Sequence, residues 1–286
     1  MSSEPLLEVE DLRVRFPGDN VTVEAVRGIS FSLGREKLGL VGESGSGKSM
    51  TGRAILGLVP PPGQVSAKRL AFEGQDLLSL GETGLRRLRG ARLSMVLQDP
   101  KFSLNPVMTV GGQIVEAYRA HASADAGKAK QKALEMLAAV RIRDPERVYK
   151  AYPHELSGGM GQRVMIAMML APEPALIIAD EPTSALDVTV QMQVLAILDD
   201  LVSERGIGLL FISHDLNLVA SFCDRVMVMY AGRILETCRA DALAEAQHPY
   251  TKGLLASLPR LSQPVEALPV LERDPRWIHD PSVEAS

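Results

Sequence analysis

Cysteine is scarce in this sequence: Cys223 and Cys238 are the 2 cysteines among 286 residues. They show no metal-ligand spacing, and a chain of this size with so few thiols fits a reducing, cytosolic compartment. An excess of positive charge is also missing. With 31 Lys and Arg against 35 Asp and Glu the formal net charge is -4, so nothing argues for broad attraction to nucleic acid, and no nucleic-acid partner is expected. Long apolar stretches are absent as well. The longest uninterrupted run, Val164 to Ala171, falls far short of the roughly 20 residues that span a bilayer. The opening MSSEPLLEVED is acidic and carries neither a basic leader nor an apolar segment, so no signal peptide is expected. If such a chain works at a membrane, another chain must cross it. What is plentiful is apolar residue, 46% against 23% charged, in a length that suits one large domain or two modest ones with a substantial core.

The apolar residues are arranged in two ways. Residues 6–16 (LLEVEDLRVRF) and 29–33 (ISFSL) alternate apolar with polar, the period of half-buried strands, and predict an antiparallel sheet near the start. KLGLV at 37–41, ALIIAD at 175–180 and GLLFIS at 208–213 are almost continuously apolar, as strands buried on both faces of a parallel sheet are. Each precedes a helix-compatible segment, which predicts a β-α alternation with helices on both sides of the sheet. The long stretch between the first two of these runs reads as an insert without strand character. Within it, residues 127–141 place Ala133, Leu134, Leu137 and Val140 on one helical face; Asp144-Pro145 is expected to break that helix. A small helical subdomain is therefore expected at about 99–165. After Ile234 the pattern loosens, and Pro259, Pro264, Pro269, Pro275 and Pro281 predict an extended or partly disordered tail. No internal repeat is visible.

Two short stretches carry chemistry. GESGSGKS, comprising Gly42, Glu43, Ser44, Gly45, Ser46, Gly47, Lys48 and Ser49, fits the G-x-x-x-x-G-K-[S/T] phosphate loop and lies between a buried strand and a helix, as that motif requires. Glycines let backbone N–H groups close on phosphate oxygens, and the helix N-terminus adds positive partial charge. Lys48 is placed to reach β- and γ-phosphates, and the Ser49 hydroxyl to bind Mg²⁺. Farther on, the apolar run at 175–179 ends in Asp180 and Glu181: one carboxylate to hold Mg²⁺ or its water shell, the next to activate water against the γ-phosphate. A third stretch raises a question. LSGGMGQR at 156–163 opens a helix with glycines, each costing about 1 kcal/mol against Ala inside a helix, although no second lysine-bearing loop accompanies it.

Taken together these motifs resemble those of ATP-binding-cassette (ABC) ATPases. They stand in the family's order: the phosphate loop, Gln98 in MVLQDP, the signature LSGGMGQR, LIIADE, SALD at 184–187 and SHD at 213–215, covering about residues 6–240. The resemblance implies an α/β fold with a P-loop, RecA-like parallel-sheet core, an N-terminal antiparallel β subdomain and an inserted helical subdomain. The ATPase domain would span 1–244 and a C-terminal extension 245–286. It further implies ATP and Mg²⁺ as ligands, with Phe16 stacking on adenine, Met50 completing the ATP-binding set after Ser49, Gln98 sensing Mg²⁺ and the attacking water, and His214 contacting the γ-phosphate. Asp187 would lie at a subunit boundary. Ser157, Gly158, Gly159 and Gln162 would act in trans, closing over the ATP held by a paired cassette, which answers the question of the second glycine-rich start.

Within the family, QDPKFSLNPVMTVGGQI and HPYTKGLLASLP at 248–259 resemble the oligopeptide, dipeptide and nickel importer branch, and the chain its first type of ATP-binding subunit. The implied partners are a second ATPase subunit, often a different chain, two transmembrane permease subunits docking near the segment after Gln98, and through them a periplasmic solute-binding protein. The implied location is the cytoplasmic face of a bacterial inner membrane. No cysteine follows Cys238, so no iron–sulfur cluster is expected. Gly161 stands where relatives usually carry a larger residue, and GREKLGL departs from the usual GE pattern before the phosphate loop. Non-transport ABC ATPases, in DNA repair, ribosome association or iron–sulfur assembly, are the alternative. The cargo stays open among peptide, nickel chelate, glutathione and opine-like compounds. Met160, Met165, Met168 and Met169 are expected to pack in a core, and the two cysteines to be packing or loop residues.

Overall fold

A computed structural model describes residues 4–19, 21–97, 103–184, 186–257 and 274–279. Its chain divides into two compact units, residues 1–79 with 211–286 and residues 80–210.

In the first unit, β1 (Leu7–Phe16) and β2 (Val23–Leu33) form a long antiparallel pair, with Leu7 opposite Leu33 and Phe16 opposite Val23. The predicted alternation is present: Leu7, Val9, Leu12 and Val14 are buried while their neighbours are partly or fully exposed. β3 (Lys37–Val41) follows and leads through a tight turn into α1 (Lys48–Ile55). β4 (Gln64–Ser66) and β5 (Arg69–Phe72) both pair antiparallel with β1, and β6 (Gln75–Asp76) pairs with β5.

The second unit starts with α2 (Gly81–Leu88) and β7 (Leu93–Val96). Helices dominate from there: α3 (Val110–Arg119), α4 (Ala126–Ala139), α5 (Pro145–Lys150) and α6 (Gly158–Leu170). Their starts follow capping rules. Thr109, Asp125, Asp144 and Ser157 each accept a backbone N–H from the first turn of the helix that they open, satisfying donors that the helix cannot. β8 (Leu176–Asp180) lies parallel to β7 and is buried along its length. α7 (Val188–Arg205) is capped by Asp187 and stopped by Gly206 at φ 59.

β9 (Gly208–Ser213) carries the chain back into the first unit, where α8 (Leu216–Phe222), β10 (Arg225–Tyr230) and β11 (Arg233–Arg239) follow. β10 runs parallel to β3 and antiparallel to β11. A 3₁₀ turn at Ala240–Glu245, then α9 (Pro249–Ala256) and the short α10 (Arg276–His279), complete the described residues.

Several expectations need correction. The stretch between KLGLV and ALIIAD holds β4, β5, β6 and β7. β7 escapes a search for continuous apolar runs because Ser94 sits inside it, buried, its hydroxyl donating to the Met169 carbonyl at 3.2 Å. Asp144-Pro145 does not end α4, which stops at Ala139 before Arg141 adopts φ 58. It opens α5 instead, with Asp144 as cap and Pro145 in the first turn, where a missing N–H costs nothing. The helices of the expected subdomain lie within the compact unit that runs from Leu80 to Leu210. Beyond Ile234, β11 continues to Arg239. In the proline-spaced tail, residues 274–279 hold a short helix whose Trp277 is 4% exposed, because an indole of that size is strongly favoured out of water; residues 258–273 and 280–286 lie outside the described residues.

Candidate functional site

The phosphate loop joins a buried strand to a helix start. Lys48, 5% exposed, turns back over the loop and donates from Nζ to the carbonyls of Gly42 at 2.8 Å and Glu43 at 2.9 Å. Gly45 and Gly47 adopt φ 80 and φ 106, a region that residues with a Cβ enter only at a cost. Gly42 is required for a different reason: a Cβ there would run into the Met229 carbonyl oxygen. A Cβ on Gly47 would likewise meet the Ala25 carbonyl. Gly47 is the cap of α1 and brings no side chain to its first-turn donors, leaving that helix end suited to an anion.

The fit to a polyphosphate rests on these features together with the Ser46 hydroxyl, which is buried and has no hydrogen-bond partner within the protein. A buried polar atom of this kind costs stability unless a ligand or water meets it. Ser44 and Gly45 are exposed at the mouth of the loop, while Ser49 and Met50 are half-buried on α1. Thr51, which the motif does not specify, is fully buried and ties its hydroxyl to the Gly47 carbonyl at 3.1 Å. Phe16 ends β1, half-buried, with its ring edge against Gly63. His214 follows β9 and is exposed; the next residue, Asp215, caps α8 by accepting from Leu218 N at 3.1 Å. Each of these residues belongs to the first unit.

In the second unit β8 ends in the two carboxylates. Asp180 is 7% exposed and Glu181 half-buried. Glu181 adopts φ 48, an unusual conformation for a residue with a Cβ and a mark of strain held at functional positions. Its carbonyl accepts from Ser184 N at 3.3 Å and Ser184 Oγ at 3.2 Å, which fixes the turn. Asp187 accepts from Val190 N at 3.0 Å, so its carboxylate caps α7. Gln98 lies outside the described residues.

The signature opens α6 as expected, with Ser157 as cap accepting from Met160 N at 3.4 Å. Its two leading glycines differ. Gly158 is exposed, and a Cβ there would meet only Leu186 Cδ2 at 3.8 Å, an ordinary contact. Gly159 faces inward: a Cβ would collide with the Val190 side chain of α7, so this glycine serves the packing of α6 on α7. Gln162 is 1% exposed, and its Nε2 has no hydrogen-bond partner within the protein. Gly161 is buried, its N–H donating to the Ser157 carbonyl at 2.9 Å as the helix turns. Met165 is fully buried, and Met160, Met168 and Met169 are half-buried. Cys223 is buried beside Gly39, and burial pushes its thiol up to about 12, which leaves it an inert packing group at neutral pH.

Sequence reasoning missed Ala25, Met229 and Gly232, which hold the phosphate loop from outside; Gly232 N donates to the Ser46 carbonyl at 2.8 Å. Nothing local marks them, since they sit far from the loop in sequence and act through backbone atoms.

Residues 26–184 match the ABC transporter family. The oligopeptide transport ATP-binding protein of Bacillus subtilis is 49% identical over 259 residues, 90% of this chain and 72% of that one. The dipeptide transport ATP-binding protein of Escherichia coli is 48% identical over 265 residues, 92% of this chain and 81% of that one. Among solved structures, a dimeric ATP-binding cassette in a post-hydrolysis state with ADP and Pi aligns with a TM-score of 0.72 at 25% identity, covering 82% of this chain and 98% of that one. No helix among the described residues is long and apolar enough to cross a membrane.

Proposed function

This chain belongs to the ABC transporter family, and from that premise we propose that it is the ATP-hydrolysing subunit of a bacterial importer for peptides or related small solutes. The hydrolytic reading is carried by the end of β8, where a buried Asp180 is followed by Glu181 held at φ 48. The peptide reading is supported by near-half identity, over nine-tenths of the chain, with two peptide transport ATP-binding proteins.

In this reading the loop 42–49 grips the β- and γ-phosphates. Its backbone donors and Lys48 offset their charge, and Lys48 exchanges the two carbonyls that it now holds for phosphate oxygens. Phe16 stacks on the adenine, and Met50 follows Ser49 on the ATP-binding side of α1. Ser49, Asp180 and Gln98 are the residues that would hold Mg²⁺, which supplies charge neutralisation on the transferring phosphoryl group. Glu181 takes a proton from the attacking water, and His214 donates to the γ-phosphate. Ser157, Gly158, Gly159 and Gln162 belong to the helix start that closes over a partner cassette's ATP, Ser157 and Gly158 on its exposed side, with Asp187 at that boundary. The partners are a second ATPase subunit, two permease subunits and, through them, a periplasmic solute-binding protein, with this chain at the cytoplasmic face of the inner membrane.

Glu181→Gln tests the assignment. ATP turnover should fall by about 10²–10⁴-fold while equilibrium binding of ATP is retained; turnover within a few-fold of wild type would remove Glu181 from the role of base. Purification of the tagged wild-type chain from native membranes should recover two spanning subunits, and recovery of a homodimer alone would overturn the importer reading.

A further inference from the structure

The phosphate loop leans on the turn between β10 and β11. The Met229 carbonyl fills the side of Gly42 where a Cβ would stand, the Met229 methyl lies beside Gly47, and Gly232 N holds the Ser46 carbonyl at 2.8 Å. The turn itself is conformationally committed, with Ala231 at φ 44 and Gly232 at φ 85. Between Met229 and this pair sits Tyr230, whose ring packs in an aromatic cup. Its centroid is 4.7 Å from that of Tyr250 and 6.1 Å, edge-on, from that of Trp277.

Trp277 is the chain's one tryptophan. It is 4% exposed and packs edge-on against His248 at 5.5 Å and Tyr250 at 5.9 Å. The cup is anchored to β11, since His248 N donates to the Glu236 carboxylate, and it is closed locally by Tyr250 N donating to His248 Nδ1 at 3.1 Å. An unbroken set of contacts thus runs from the C-terminal segment 274–279 through Tyr230 to the backbone that shapes the phosphate loop.

We propose that Trp277 is a positioning residue for nucleotide binding: seated against Tyr230, His248 and Tyr250, it fixes the Met229–Gly232 turn that holds Gly42, Ser46 and Gly47 in their phosphate-binding shape. The inference rests on the reading of the Lys48 loop as the nucleotide site. Aromatic rings prefer offset or edge-to-face arrangements and gain beyond the area that they bury, so the cup favours one placement of Tyr230. A displaced Tyr230 would carry Met229 and Gly232 with it, because all three share one tight turn. Residues 274–279 then support ATP affinity through this turn.

The test compares wild type, Trp277→Ala and Trp277→Phe by titration calorimetry with a non-hydrolysable ATP analogue, with circular dichroism to confirm folding and steady-state kinetics alongside. Trp277→Ala should raise the analogue Kd about fivefold and the KM for ATP in step, with kcat little changed, and Trp277→Phe should restore most of the affinity. An Ala variant that is folded and binds within twofold of wild type overturns the proposal. A second measurement needs no variant. Coupling is reciprocal, so saturating analogue must lower the acrylamide quenching of Trp277 emission in the wild-type chain; quenching that is unchanged at saturation overturns the proposal as well. Failure of the wild type to bind the analogue at all would instead bring down the nucleotide-site reading.

Discussion

α1 and α6 both begin on glycine-rich turns, yet the glycines stand in different surroundings. Around the first, the protein's own backbone crowds in: Gly42 and Gly47 face the carbonyls of Met229 and Ala25, and Gly45 and Gly47 have positive φ. Around the second, Gly158 is exposed with no close neighbour, and Gly159 abuts one side chain, Val190. The first turn carries its own cation, Lys48, folded over it. The signature turn has only the Ser157 cap, and the nearest arginine on its helix, Arg163, donates to Gln193 at 2.7 Å. The first turn is thus shaped by contacts from its own unit. The second opens on a helix start capped by Ser157, with a leading glycine that no close contact among the described residues requires.

Substitution at the glycines can break this contrast. Gly42→Ala should have the largest effect, costing about 1–3 kcal/mol of folding stability by forcing the Met229 carbonyl aside and weakening ATP binding by at least about tenfold. Thermal unfolding and calorimetry would check it, and a variant as stable as wild type would mean that the crowding around Gly42 is relieved by small backbone shifts. Gly158→Ala should behave in the opposite way. Its folding stability should stay level or rise by about 0.5–1 kcal/mol, as Gly-to-Ala changes in helices do, while ATP turnover of the assembled transporter drops about tenfold. Loss of stability comparable to that of Gly42→Ala would erase the distinction. The smallest effect is expected for Ser157→Ala, which removes a cap bond that is long at 3.4 Å and should cost about 0.5–1 kcal/mol, measured by denaturant unfolding; no change would mean that the cap does not hold α6.

What could be read in advance and what could not divides along a physical line. The phosphate loop, the end of β8 and the start of α6 were legible because each is a contiguous run whose composition states its backbone demands: glycines for positive φ, a serine for a cap, apolar residues for a buried strand. β7 was not, since Ser94 interrupts its apolar run and is satisfied by Met169 from another element. Asp144-Pro145 reads as a helix stop, yet α4 ends before it at Ala139 and the pair opens the next helix, which only the cap geometry reveals. The packing of Gly159 against Val190, where a Cβ would collide, has no mark in the local run, since the glycine states a demand for close approach without naming the neighbour. The supports of the phosphate loop at Ala25, Met229 and Gly232 leave no trace in local composition, because a carbonyl or N–H is the same in every residue.

Lys48 bridges the carbonyls of Gly42 and Glu43, so the cation over the loop owes its place to the loop's own backbone. Neighbouring carbonyls repel unless a donor separates them, and a substitution that shortens this side chain removes that donor together with a positive charge. Lys48 is in that sense a structural member of the turn, and the cost of ordering a long flexible side chain, which binding would otherwise carry, is met when the chain folds.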